Sequence, residues 1–333
     1  MDNFVFGNKE NIDYINSLID SKKFAHAYLI VGQKGSGKKT LCNYIATKLA
    51  EDLLENDPSL RHRIIEGKTP DIKVIKAEEG KKSIGVDAVR RVIDDISMTP
   101  FELNFKLYIF EEADTMTVQA QNSLLKVIEE PPANVYFMLL TSNATSLIPT
   151  VRSRVQTLKM QMFSSSEIEK YLDDNNLYGI ASETRKRFAV NFSEGAIGKA
   201  RYLLSEGEKD YSAYMCSKKV IDAQCHKGIG GNLYSILSSV KSYLGNGDKR
   251  LQFGLLLTYL FNAYKELLSL KILEGSQPVF FDNNEAENYI SLISVESIQK
   301  SVDVITLLQK DITSNYNITV AYNMLSIGLW EAV

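Results

Sequence analysis

Two kinds of apolar spacing divide this chain. Up to about residue 160, short continuous apolar runs alternate with helical patterns; beyond about residue 208 only the helical pattern remains. The runs at 27–31, 72–75, 107–110 and 135–140 have strand length, and 155–158 adds a fifth. Continuous rather than alternating apolar strands predict a parallel sheet covered on both faces. Between them, Ile12, Ile15, Leu18 and Ile19 predict an amphipathic helix over 8–22, and Val89, Val92, Ile93 and Ile96 one over 86–96. Val118, Leu124, Leu125 and Ile128 are expected on one face of a helix that Pro131 and Pro132 end, because proline cannot donate to or continue a helix. Residues 55–71 are polar and turn-rich and read as a surface excursion. Ser164 to Ser166 ahead of Glu167 read as helix caps. Helices are expected over 181–192, 196–205, 209–226, 232–245, 249–273, 294–313 and 316–332. The stripe Leu255, Leu256, Tyr259, Leu260, Ala263, Leu267 and Leu270 reads as core or subunit interface, with no catalytic constellation in it.

Chemistry gathers where the strands end. After the first strand comes Gly32-Gln33-Lys34-Gly35-Ser36-Gly37-Lys38-Lys39-Thr40, and then a helical pattern through about Leu54. Strand, glycine-rich loop, lysine and helix are the context of a phosphate-binding P-loop. Glycines let backbone N–H groups turn inward, the helix N-terminus adds positive potential, and Lys38 is placed to reach outer phosphates. The motif asks for Ser or Thr directly after that lysine, because the hydroxyl ligates Mg²⁺. Lys39 stands there instead, and Thr40 is one residue late, a rotation of roughly 100° around the helix. The third run stops at Glu111, Glu112 and Asp114, and the fourth at Thr141-Ser142-Asn143. Ten residues on come Arg152-Ser153-Arg154. In a parallel sheet the C-terminal strand ends share one edge, where ligands bind.

Composition narrows the class. With 44% hydrophobic and 24% charged residues the chain reads as an ordinary globular protein. Its 38 basic against 41 acidic residues, net −3, lend no support to a nucleic-acid field. Cys42, Cys216 and Cys225 are scattered, which argues against a disulfide framework or a cysteine-rich zinc site. Asp2, Lys9 and Glu10 leave no apolar leader at the N-terminus, and the uncharged run 251–264 is too short to span a bilayer. A cytoplasmic location without membrane contact is the default expectation. His26 has no carboxylate or cysteine near it in sequence and reads as structural.

In this order the motifs resemble the AAA+ ATPase module of clamp loaders. Ala25-His26-Ala27-Tyr28-Leu29, Gln119-Ala120-Gln121-Asn122-Ser123-Leu124-Leu125-Lys126, Glu129-Glu130-Pro131-Pro132 and Arg152-Ser153-Arg154 resemble the delta-prime type of bacterial DNA polymerase III subunit, densest over 24–158. The resemblance implies an α/β P-loop (RecA-like AAA+) domain with a parallel sheet over 1–160, a small helical lid over 161–206 and an all-α collar over 207–333. It implies a place in a ring that uses ATP to open a sliding clamp and set it on primed DNA, with gamma/tau and delta subunits as partners. Delta-prime resembles a stator there, part of the DNA polymerase III holoenzyme, and lends an arginine to its neighbour's ATP site.

Residue by residue, the resemblance makes Arg154 that arginine, with Val155 where the family has cysteine. Gly32, Gly35, Ser36, Gly37, Lys38, Lys39 and Thr40 become the nucleotide loop, Glu111 the metal-side acid, Glu112 the water-positioning acid and Asn143 the sensor. Lys199 in Gly198-Lys199-Ala200 stands near the place of a phosphate-sensing arginine. ATP or another nucleotide and Mg²⁺ are the implied cofactors. Lys39 for a hydroxyl and Glu111 for an Asp count against both, more against catalysis than against binding. No cysteine lies in 51–71, where relatives carry a zinc module, so no zinc is expected. The alternatives are an active motor of the gamma/tau or Holliday-junction-helicase type, and an unrelated P-loop kinase.

Overall fold

The computed structural model describes residues 7–55, 57–179, 181–227, 232–245, 248–311 and 317–333. Asp2 and positions 312, 313 and 316 of the expected helices lie outside the described residues. Two compact units form: residues through Tyr171 together with Glu194–Lys199, and Leu172–Ser193 together with Ala200–Val333.

The first unit is built on five parallel strands, β1 (Ala27–Val31), β2 (Ile72–Ile75), β3 (Lys106–Phe110), β4 (Val135–Thr141) and β5 (Gln156–Lys159), in the order β2-β3-β4-β1-β5. Because side chains alternate across a strand, the central strands feed two cores. Tyr28, Ile30, Leu107, Ile109, Met138 and Leu140 enter one. Leu29, Tyr108, Phe110, Phe137 and Leu139 enter the other. Helices Lys9–Asp20 and Lys38–Leu49 pack on the first face; Val86–Ile96 and Val118–Glu129 pack on the second. Burial on both sides explains the unbroken apolar strands.

Two local expectations change and a third holds. Residues 55–71 carry a helix, Ser59–Ile65, which buries Leu60 and Ile64 in the first core; polar neighbours hid a two-residue apolar face. In Val118–Glu129 the buried face is Ala120, Gln121, Leu124 and Ile128, while Val118 in the first turn is 60% exposed. Gln121 is buried because its amide is spent, donating to Met116 O at 3.0 Å and accepting from Ile148 N–H at 2.8 Å. Ser164 does cap the Ser165–Asp174 helix reciprocally, its N–H donating to Glu167 Oε2 at 2.8 Å and its Oγ accepting from Glu167 N–H at 3.3 Å.

The regular elements of the second unit are helices among its described residues, with Lys249–Ile272 the longest. Leu256, Tyr259, Leu260, Ala263 and Leu267 of the expected stripe are buried. Helix Asn283–Leu292 was not anticipated; it opens on a reciprocal cap between Asp282 and Glu285. Phe188, Phe192, Tyr214, Tyr259 and Phe280 form an aromatic cluster. Glu266 ties the approach to Asn283–Leu292 by accepting the N–H groups of Val279, Phe280 and Phe281.

Candidate functional site

Gly32-to-Lys38 turns the chain out of β1 and into Lys38–Leu49. The loop is sewn to the sheet through Gly32 N–H, which donates to Thr141 O at 3.0 Å. Gly35 and Gly37 adopt φ of +82° and +89°, conformations costly for any side chain. Gly32 is needed for space: a Cβ there would come within 2.5 Å of Ser36 Oγ and 2.7 Å of Met160 Cβ. Ser36 Oγ is buried in this fold of backbone without a hydrogen-bond partner.

Lys38 Nζ folds back to donate to Gly32 O at 2.6 Å and Gln33 O at 2.9 Å. Burial holds its pKa below the ordinary lysine value, against the opposing pull of Asp114 and Glu112. Lys39, next on the helix, places Nζ 2.9 Å from Glu111 Oε1. Thr40 is exposed. Glu112 sits at φ 52°, ψ 50°, left-handed backbone for a non-glycine residue at the mouth of the strand edge. Thr141 Oγ1 donates to Asp114 Oδ1 at 2.9 Å.

The P-loop lysines and the acids after β3 are therefore brought together. Asn143 is otherwise engaged: its Oδ1 accepts from Thr145 N–H at 3.0 Å and Thr145 Oγ1 at 2.7 Å, capping the Ala144–Ser146 turn. Lys199 Nζ pairs with Glu194 Oε1 at 2.5 Å. The backbone of this segment lies on the P-loop, and Gly198 N–H donates to Gly35 O at 2.9 Å.

Arg154 follows the short helix Pro149–Arg152. Its Nε lies 2.6 Å from Glu129 Oε1, and its Nη1 donates to Thr150 O at 3.0 Å, with its side chain 38% exposed. Glu129 is the last residue of its helix because Glu130, preceding Pro131, is pushed to φ −128°, ψ 69°. The guanidinium is thus steered but not enclosed. Glu129 and Met160 carry no expected site role; Asp114 was expected at the strand edge and Gly198 beside Lys199, but without the partners found for them. His26 is structural, its Nε2 2.6 Å from Ile128 O. Cys42, Cys216 and Cys225 are buried free thiols, and burial raises the pKa of each, of Cys216 and Cys225 to about 12. No helix among the described residues is long and apolar enough to cross a membrane.

The family model described as DNA polymerase III, delta subunit, matches residues 7–164, the stretch that holds the sheet, the P-loop and Arg154. Over that stretch the chain is similar to the DNA polymerase III delta-subunit family. Its fold is an α/β domain on a five-stranded parallel sheet followed by helices. The delta-prime subunit of Bacillus subtilis is 34% identical over 163 residues, 48% of this chain and 49% of that protein. The gamma subunit of Buchnera aphidicola from Acyrthosiphon pisum is 29% identical over 173 residues, 50% of this chain and 47% of that one. The tau/gamma subunit of Haemophilus influenzae is 23% identical over 339 residues, 94% of this chain and 47% of its own. The chain thus spans about half the length of these curated relatives. Among solved structures, a gamma-subunit-related protein of Thermotoga maritima aligns with 96% of this chain and 99% of its own at 18% identity, TM-score 0.49.

The residues do not suit Mg²⁺. Its expected donors are a hydroxyl after Lys38 and a free carboxylate at 111; an ammonium stands at the first and is paired with the second. They do suit a phosphate-bearing ligand, through glycines at positive φ, a buried unpartnered hydroxyl and Lys38 at the start of a 12-residue helix.

Proposed function

We propose that this chain is a delta-prime-like clamp-loader subunit. It acts as a stator beside gamma/tau and delta, helps place the sliding clamp on primed DNA, and has degenerate ATPase chemistry of its own. The observation that carries the reading is the Lys39–Glu111 pair at 2.9 Å, which ties the metal-side acid to an ammonium. Phosphoryl transfer depends on charge positioned around metal and phosphate, so this arrangement favours holding over hydrolysing.

Arg154 supplies the chain's part of the chemistry, in trans. A planar guanidinium stabilises charge on a transferring phosphoryl group, worth about 10³-fold or more where such fingers act. Steering by Glu129 and Thr150 together with partial exposure supports this role. The division into an AAA+ module over 1–160, a lid over 161–206 and a collar over 207–333 belongs to the same reading, with the collar as the main contact to partner subunits.

The test is Arg154→Ala in a reconstituted complex with gamma/tau and delta. Assembly is expected to persist while DNA-stimulated ATP hydrolysis and clamp loading fall; unchanged rates remove Arg154 from the mechanism. The intact glycine loop with Lys38, together with the gamma similarity, favours a second reading, an active motor. Magnesium-dependent turnover by the isolated chain, abolished by Lys38→Ala, would establish that reading instead.

A further inference from the structure

The second unit contains a cleft of about 660 Å³ whose lining residues all belong to that unit. Helices Glu183–Asn191, Ile197–Ser205 and Glu208–Cys225 form it, with the turn that precedes the first of them. Its walls are apolar and aromatic: Leu204 is buried, and Leu177, Tyr178 and Tyr211 are half-buried. Arg185 Cζ lies 5.1 Å from the centroid of the Tyr211 ring, and Lys186 Nζ lies 5.1 Å from that of Tyr178. These cation contacts help to fix both rings in place. The size is that of a small-ligand site, about 300–1,000 Å³.

Three charged side chains line the cleft, Arg185, Arg201 and Glu208. Arg185 is paired with Glu208, and its Nε donates to Leu203 O at 3.3 Å. Arg201 has no ion pair and no side-chain hydrogen bond among the described residues, and the Tyr211 hydroxyl has no hydrogen-bond partner there either. The cleft therefore presents one uncompensated cation beside an apolar wall.

That count decides the class of ligand. A nucleic-acid strand gains affinity by neutralising several phosphates. The residues after Arg201 bring Glu206 and Glu208 before the next cation, Lys209, so a polyanion meets no continuing positive track. A free amino acid would bring an ammonium, and the carboxylate of Glu208 is already taken by Arg185. One planar anion on an apolar body is matched on both counts. A guanidinium fork takes a carboxylate bidentately, and Leu177, Leu204 and Tyr178 take an apolar group. The last residue of a polypeptide carries both groups on one carbon.

We propose that this cleft binds the C-terminal residue of a partner polypeptide, an apolar residue whose free carboxylate pairs with Arg201. The proposal goes beyond the clamp-loader reading and depends on neither Arg154 nor the P-loop.

The experiment begins with the full chain on an array of short synthetic peptides carrying every residue type at the last position, each with a free or an amidated C-terminus. The best-retained peptide is then titrated by fluorescence anisotropy. Peptides ending in Leu, Ile, Met or Phe are expected to be retained, and amidation to weaken binding about tenfold or more. Arg201→Ala should weaken it by a similar factor, while Arg201→Lys, which keeps the charge and loses the fork, should cost less. Because Arg201 is exposed and unpaired, its melting temperature should not change in either variant, so the loss reports the site and not the fold. The proposal is overturned if no peptide is retained, if amidated and free peptides bind equally, or if binding survives Arg201→Ala. Binding of oligo-deoxythymidine that is lost in Arg201→Ala would assign the cleft to nucleic acid instead, and phenylpropionate binding as tightly as the best peptide would assign it to a small carboxylic acid; either result also overturns it.

Discussion

Gly198 and Gly35, 163 positions apart, meet backbone to backbone: the N–H of Gly198 donates to the carbonyl of Gly35 at 2.9 Å. A Cβ on Gly198 would lie 2.7 Å from Gly35 O, and one on Gly35 would lie 2.5 Å from Lys199 N. Neither neighbour is a flexible side-chain tip, so relief requires the backbone to move. Gly198→Ala is therefore expected to cost about 1–3 kcal/mol, the usual range for overpacking a close contact. Gly35→Ala should cost more, since its φ of +82° adds strain. Denaturant unfolding measures both, and an unfolding midpoint unchanged in Gly198→Ala would show that the contact does not constrain the segment.

Arg154 and Glu129 are both partly exposed, so their 2.6 Å pair should contribute little to stability, within about 1 kcal/mol. If Arg154 acts in trans as proposed, the value of the pair lies in aim. Glu129→Ala is expected to leave the melting temperature nearly unchanged while lowering in-trans ATP hydrolysis less than Arg154→Ala does. Equal hydrolysis rates in Glu129→Ala and the unmodified complex would separate the ion pair from any positioning role.

Asp95 closes a network under the sheet. It receives Lys73 Nζ at 2.7 Å, Tyr108 Oη at 2.7 Å and Lys106 Nζ at 3.3 Å. Burial alone would raise its pKa, but the hydrogen bonds from Lys73, Tyr108 and Lys106 outweigh that and bring it to about 2. A depressed carboxylate stabilises the fold above its unfolded value, about 3.9, and that contribution disappears as pH falls towards 2. Acid unfolding should therefore steepen between about pH 4 and pH 2. Asp95→Ala leaves Lys106, 6% exposed, buried without its carboxylate and should cost about 3 kcal/mol at neutral pH while flattening that acid limb. An unaltered limb in the variant would move the effect to other carboxylates.

Asp71, only 4% exposed, accepts the N–H groups of Phe101, Glu102 and Leu103 at 2.7–2.8 Å. It pins the turn that leads into β3. Asp71→Ala strands three donors and should destabilise by about 2–4 kcal/mol, with accelerated amide exchange confined first to 100–104. Exchange unchanged in that stretch would show that the turn is held by Leu103 and Phe105 packing instead.

Much of this was readable along the chain. Strand positions followed from runs of apolar residues, because a strand covered on both faces needs no polar alternation. The P-loop was readable because glycine, lysine and helix follow one another locally. Helix Ser59–Ile65 was not, since its buried face is two residues in a polar setting. Val118 was misplaced because helical spacing names a face without saying what covers its first turn.

The sequence by itself determined most of the segments that become strands and helices, and that a phosphate-type loop and an acidic strand end lie at one sheet edge. These are properties of neighbouring residues. Arg154, expected at that edge, instead precedes β5 and meets Glu129 ahead of β4, at the opposite edge. Only the tertiary structure decided that Lys39 meets Glu111, that Arg154 meets Glu129, and that Gly198 rests on Gly35. Each joins segments whose approach depends on the order β2-β3-β4-β1-β5 or on a helix folding back from beyond the sheet. Local propensity carries no information about which strand neighbours which; the burial of two shared cores does.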